Sequence, residues 1–157
     1  MNIAVDLAAQ LCRHFEGFSA RPYRDPGTGD KPYTIGYGST YYPDGRKVTL
    51  EDPPLTKEQA NEILLFEINH TFLPGVLRHC PGLLAQPPRR LAALLSWTYN
   101  FGAGRLQTST LKRAVNQACK TDDWDWPCKE IIRWNRADGK VLRGLVLRRE
   151  AEAKLLG

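Results

Sequence analysis

The sequence predicts an α+β fold: one domain over residues 1–157, with a small N-terminal lobe built on an antiparallel sheet, a larger C-terminal helical lobe, and a cleft between them. Three observations lead there. Apolar residues recur at helical spacing before Glu16 and again after Thr56. Between Tyr23 and Val48 the chain is instead rich in glycine, tyrosine and threonine, a strand-and-turn composition. A length of 157 residues suits one core and one cleft, without a separate regulatory domain.

Ala4, Leu7, Ala8, Leu11, Cys12 and Phe15 lie three and four residues apart, so a first amphipathic helix is expected to end at Glu16, with Gly17 as its C-cap. The small antiparallel sheet follows between Tyr23 and Val48, turning at Pro26–Gly29 and at Pro43, Asp44 and Gly45. Asp52, Pro53 and Pro54 make a stiff connection. Thr56 and Gln59 then have the spacing of a capping box, opening a helix that carries Ala60, Ile63, Leu64, Ile68 and Phe72 until Pro74 and Gly75 interrupt it. Further helices are expected over Arg89–Asn100, Thr110–Cys119, Pro127–Asn135 and Leu145–Leu156. Leu91, Leu94, Leu95 and Trp97 read as core. The chain carries no internal repeat or low-complexity segment.

Lys and Arg outnumber Asp and Glu by 22 to 17, and the resulting +5 favours polyanionic partners such as nucleic acid, anionic membrane or an acidic cell wall. No nucleic-acid motif accompanies Arg143, Arg148, Arg149 and the tryptophans, so nucleic acid is not an expected partner. His14, His70 and His79 sit in no metal-ligand spacing, so neither a metal nor another cofactor is expected. Cys12, Cys80, Cys119 and Cys128 are expected as free thiols, with a Cys119–Cys128 pair as the alternative. The segment Met1 to Phe15 has no long apolar run and reads as neither signal peptide nor membrane span, so stable membrane insertion is not expected.

Chemistry concentrates in the segment Glu16 to Gly38, EGFSARPYRDPGTGDKPYTIGYG. It sets one carboxylate at a helix end, another in a Tyr-x-Asp turn, and a threonine in a glycine-rich strand. Glycoside hydrolysis needs one group to protonate the leaving oxygen and another to activate water or attack the sugar. At a helix C-terminus Glu16 meets the negative end of the backbone dipole, which opposes its charged form and suits an acid. Asp25, in a polar turn, suits the base. Spacing alone fits a surface glutamate and an ordinary turn aspartate better.

The order Glu-Gly, Tyr-x-Asp, Tyr-Thr-Ile-Gly-x-Gly resembles the active-site signature of the phage-type lysozymes (endolysins), glycoside hydrolase family 24. Downstream, Asn100, Phe101, Gly102, Ser109, Thr110 and Leu111 resemble the family's asparagine, glycine and Ser-Thr-Leu block. RWNRADGKVLRGLVLRRE, near the end, resembles its tryptophan, Gly-Lys-Val-Leu, Gly-Leu and paired-arginine pattern. The resemblance implies a lysozyme-like two-lobed fold and a muramidase cutting the β-1,4 bond between N-acetylmuramic acid and N-acetylglucosamine in bacterial peptidoglycan, with inversion. It makes Glu16 the general acid, Asp25 the carboxylate that activates water, and Thr34 the hydroxyl that positions it. Asn100, Phe101, Ser109 and Trp134 are implied sugar contacts, and Arg148 or Arg149 an implied partner of Glu16.

The family usually places five residues between its aspartate and its threonine, whereas eight lie between Asp25 and Thr34. The excess falls in Gly27 to Pro32, which makes Asp30 a rival base. The expected protein is a monomer made in the host cytoplasm that acts in the periplasm after a separate membrane-permeabilising protein releases it. A catalytically inactive wall-binding module and a lytic transglycosylase are the competing readings.

Overall fold

A computed structural model describes residues 2–157. Helix α1 (Ile3–Glu16) starts where the Asn2 side chain accepts the Val5 N–H at 3.2 Å, and ends where the Gly17 N–H donates to the Arg13 carbonyl. Ala4, Val5, Ala8, Ala9 and Cys12 form its buried stripe. Strands β1 (Ser19–Tyr23) and β2 (Thr34–Gly36) pair antiparallel, with Ser19 opposite Gly36 and Tyr23 opposite Thr34, around an irregularity in the register. The sheet therefore begins four residues before the expected Tyr23, and beyond β2 it dwindles to bridges joining Ile35 to Ser39 and Tyr41 to Lys47.

Helix α2 (Lys57–Glu67) opens with the expected reciprocal box: Thr56 accepts the Gln59 N–H at 3.1 Å and Gln59 accepts the Thr56 N–H at 2.9 Å. Instead of breaking at Pro74, the chain widens into a π-helical turn (Ile68–Phe72) and continues as α3 (Leu73–His79). The physical reason lies in Pro74, which has no N–H to give the preceding turn; the Leu73 N–H reaches back five residues to the Ile68 carbonyl. A short 3-10 turn, Pro81–Ala85, leads to the central helix.

Helix α4 (Pro88–Phe101) is buried on every face from Arg90 to Thr98. Its Leu-Ala-Ala-Leu-Leu-Ser-Trp run is apolar all round, as a helix inside a core must be, and α1 and α8 (Arg143–Leu156) pack against it. Pro88 starts it at the position where a missing N–H is harmless. Helices α5 (Ala103–Thr108), α6 (Thr110–Thr121) and α7 (Asp125–Ile132) and a small hairpin, β3 (Arg136–Ala137) with β4 (Lys140–Val141), complete the helical lobe. Cys12, Cys80, Cys119 and Cys128 are free, and burial pushes the Cys12 and Cys80 thiols up to about 12. No helix among the described residues is long and apolar enough to cross a membrane.

Candidate active site

The two lobes meet at a cavity of about 430 Å³ lined by Glu16, Asp25, Thr34, Glu67, Tyr99 and Asn100 among others. They come from several elements, with Tyr99 and Asn100 both on α4, and the placement has local reasons. Glu16 is the last residue of α1, so its side chain leaves the helix where the chain turns into β1. Thr34 opens β2, buried against the lobe, and its hydroxyl lies 3.4 Å from the Pro32 carbonyl. Asp25 follows the Tyr23–Thr34 pair by two residues, and the two side chains line the same cavity.

The β1–β2 loop is tied at its base. The Asp25 N–H donates to the Asp30 carbonyl (2.9 Å), the Gly29 N–H to the Asp25 carbonyl (2.7 Å), and the Thr28 N–H to Asp25 Oδ2 (2.9 Å). Asp30 does not line the cleft; its carboxylate accepts the Tyr33 hydroxyl at 2.7 Å. Sequence had left these two aspartates as rivals, and only Asp25 faces the cavity.

Of the two arginines, Arg148 touches Glu16. Its Nη1 donates to Glu16 Oε1 at 2.7 Å, while Nε and Nη2 bond the Ser96 hydroxyl and carbonyl at 3.2 and 3.1 Å. The guanidinium is almost wholly buried and so pre-set, whereas the Glu16 side chain keeps 24% exposure toward the cleft. Arg149 has a different duty: Nη1 donates to Asn100 Oδ1 at 3.0 Å and Nη2 to the buried Glu152 at 3.0 Å. Consecutive arginines of α8 thus hold two cleft residues, Glu16 and Asn100, from beneath.

Gly38 matters as much as the polar groups. Ile35 and Ser39 exchange both backbone hydrogen bonds at 2.9 Å, which closes a tight turn through Gly36 and Gly38. Gly38 has φ +86°, and a Cβ there would stand 2.9 Å from Glu16 Oε2. Gly36, at φ +67°, presses against Ala60 of α2, where a Cβ would come within 3.0 Å of that residue's Cβ. The Gly-x-Gly pattern is therefore a packing requirement, with one glycine against the Glu16 side chain and the other against the lobe's helix.

The remaining expected sugar contacts lie elsewhere. Phe101 packs with Trp97 and Trp134, ring centroids 5.2 Å apart in each case, under the Arg149 guanidinium. Ser109 is the N-cap of α6: its hydroxyl accepts the Lys112 N–H at 3.1 Å and donates to the Leu106 carbonyl at 2.8 Å. Ser109 and Trp134 line a separate hollow of about 360 Å³ with Arg105 and Arg133. Of the four, Asn100 alone lines the cavity between the lobes.

Sequence reasoning missed Glu67. It ends α2 at the π-helical turn, half-buried in the cleft wall, and its Oε1 is enclosed without a hydrogen-bond partner. Burial pushes its carboxyl up to about 7, and the Ser39 hydroxyl is near enough to temper the rise without closing a well-formed bond. A glutamate on an otherwise ordinary amphipathic helix gives no local signal of this. Burial likewise raises the Tyr23 and Tyr99 hydroxyls. Among the described residues no group of His, Cys, Asp and Glu is placed to hold a metal ion.

Two carboxylates and a hydroxyl on one cavity, with the first carboxylate fixed by a buried cation, can protonate a leaving oxygen and hold a water opposite it. The chain belongs to the phage lysozyme family, whose model, described as "Phage lysozyme", matches residues 13–152. It is 44% identical over 138 residues to a SAR-endolysin of Bacteriophage PS119, covering 87% of this chain and 73% of that one. It is also 33% identical over 155 residues to an endolysin of Bacillus phage B103, covering 99% of this chain. The chain spans only about half the length of the Bacillus phage relatives, 54% for B103 and 51% for PZA. Among solved structures, an endolysin from Escherichia coli O157:H7 phage FAHEc1 superimposes with a TM-score of 0.76 at 28% identity, covering 96% of this chain and 90% of that one. The fold is the mixed α+β lysozyme fold.

Proposed function

We propose that this protein is a muramidase that hydrolyses the β-1,4 bond between N-acetylmuramic acid and N-acetylglucosamine in bacterial peptidoglycan. The observation that carries the reading is the convergence of Glu16, Asp25 and Thr34 on one cavity, with Glu16 held by buried Arg148. In this mechanism Glu16 gives its proton to the glycosidic oxygen as the bond to the anomeric carbon breaks. Asp25 takes a proton from the attacking water, and the Thr34 hydroxyl orients that water. Attack from the face opposite the leaving group inverts the anomeric carbon. Asn100, tethered by Arg149, supplies a polar contact to the sugar in the same cavity. The separate hollow at Ser109 and Trp134 extends the sugar path on the helical lobe. A water-activating pair supports hydrolysis over transglycosylation, which needs one acid alone.

The test is clearance of permeabilised bacteria by wild type and by Glu16→Gln, with folding followed by circular dichroism. General acid catalysis contributes about a hundredfold to ten-thousandfold, so the variant should lose at least two orders of magnitude while remaining folded. Products should carry new reducing ends rather than anhydro ends. A folded variant that clears cells at the wild-type rate removes Glu16 from the acid's role.

A further inference from the structure

We propose that the cavity between the β1–β2 loop and the Tyr41–Lys47 hairpin is a subsite for the peptide stem of the wall polymer, with Lys31 and Lys47 receiving the stem's carboxylates. The proposal rests on the muramidase reading and extends it to part of the substrate that the catalytic cavity does not contact.

The cavity measures about 460 Å³ and is lined by Lys31, Pro32, Tyr33, Thr40, Tyr41 and Lys47, with Val48 and Thr49 behind them. Pro32 and Thr40 line the catalytic cavity as well, so the two spaces adjoin on the sheet lobe. Its walls are held on both sides. Tyr41 and Lys47 face each other across a β-bridge, and the Val48 N–H donates to the Thr40 carbonyl at 3.0 Å. Opposite them, the Thr28 hydroxyl donates to the Lys31 carbonyl at 2.6 Å and the Tyr33 hydroxyl to Asp30 at 2.7 Å. The loop wall, Lys31 and Pro32, comes from the stretch where this chain exceeds the spacing seen in its resemblance to the family.

Charge selects the occupant. Lys31 and Lys47 are exposed, and neither ion-pairs among the described residues. Asp30, next to Lys31 in the chain, is committed to Tyr33, and Arg24 and Glu51 act in opposite senses on the same ring. In the stem-bearing polymer the lactyl carboxyl of N-acetylmuramic acid is tied up in its amide to the stem, so the glycan strand itself is uncharged and a longer strand would gain nothing from two free ammonium groups. The peptide stem, attached to the muramyl sugar at the scissile bond, carries carboxylates together with apolar side chains. Lysines beside tyrosine rings and Val48 suit that mixture.

The test uses soluble glycan chains cut from peptidoglycan, with their stems intact or with the stems removed by an amidase and the lactyl carboxylate that it frees capped as a neutral amide. The quantity read is the ratio of kcat/KM for the two substrates. Wild type should prefer stem-bearing chains, and Lys31→Ala/Lys47→Ala should lower that preference about tenfold, as two partly exposed charge contacts of under 1 kcal/mol each would give. Lys31→Glu/Lys47→Glu should lower it further. Lys120→Ala/Lys154→Ala removes the same charge from positions that line neither cavity, and should retain the preference. A wild type indifferent to the stem, or an equal loss in the Lys120/Lys154 control, overturns the subsite and leaves the muramidase reading intact. Cleavage of neither substrate by wild type overturns both.

Discussion

Replacing Glu67 by Gln keeps the side chain's shape while removing its proton, so the variant isolates what ionisation of this carboxyl costs the fold. Burial raises the carboxyl from its ordinary 4.5 to about 7, hence between those values the folded protein binds one more proton than the unfolded chain. Stability must therefore fall as pH rises across that window, with the penalty absent below about 4.5 and complete above about 7. At about 1.4 kcal/mol per pKa unit the penalty is about 3 kcal/mol. That is an upper bound, because Glu67 keeps one side toward the open cleft.

The assay is urea unfolding of wild type and Glu67→Gln at several pH values from 4 to 8.5, taking the difference in stability at each so that other titrations cancel. The variant should gain on wild type progressively, by about 1–3 kcal/mol at the alkaline end, or roughly 2–12 °C in Tm for a domain of this size. Tyr99 lies close enough to feel Glu67, and it remains in each protein compared. A difference that stays flat from pH 4 to 8.5 would falsify the argument, since a raised carboxyl cannot leave the profile unchanged.

Other consequences are equally specific. Asp25→Asn should cost most of the turnover and Asp30→Asn little, measured as release of reducing ends, because only Asp25 faces the cavity; the reverse ranking would give the base to Asp30. Arg148→Ala should destabilise by about 3–5 kcal/mol in urea unfolding by leaving buried acids short of a partner, and Arg148→Lys should restore part of the stability but less of the activity, since one ammonium cannot reach both Glu16 and Ser96. Gly38→Ala should cost about 1–3 kcal/mol for its positive φ and lower kcat about a hundredfold by displacing Glu16; a folded variant of wild-type activity would separate this glycine from the acid's placement.

What could be read from the sequence was what is encoded locally. The 3.6-residue stripe and Gly17 marked the end of α1 and so placed Glu16; the Thr56–Gln59 box marked α2. Beta 1 was missed before Tyr23 because Ser-Ala-Arg-Pro-Tyr contains no β-branched residue and carries a proline; its pairing with β2 supplies what propensity does not. Helix α5 buries only Leu106 and so showed no periodicity. Helix α7 starts two residues before the expected Pro127, since a proline in a first turn loses no hydrogen bond, and it stops at Ile132 because the β3–β4 hairpin follows. The role of Arg148 over Arg149 was not readable, since one helix position decides which guanidinium points at α1 and which at Asn100.

The longer β1–β2 loop shows how the site tolerates a departure from the family spacing. Asp25 and Thr34 are far apart along the loop, but both adjoin the Tyr23–Thr34 pair, and a strand pair fixes geometry regardless of how much chain hangs from its end. Length added beyond Asp25 is also sealed off by the Asp25–Asp30 backbone bond, which closes the turn before the extra residues reach Thr34. On the opposite side, Glu16 owes its position to Arg148 and Gly38, neither of which belongs to the loop. Glu16 and Thr34 are thus anchored by elements outside the insertion, whereas Asp25 is held within the loop by Thr28, Gly29 and Asp30, and Lys31 and Pro32 line the neighbouring space.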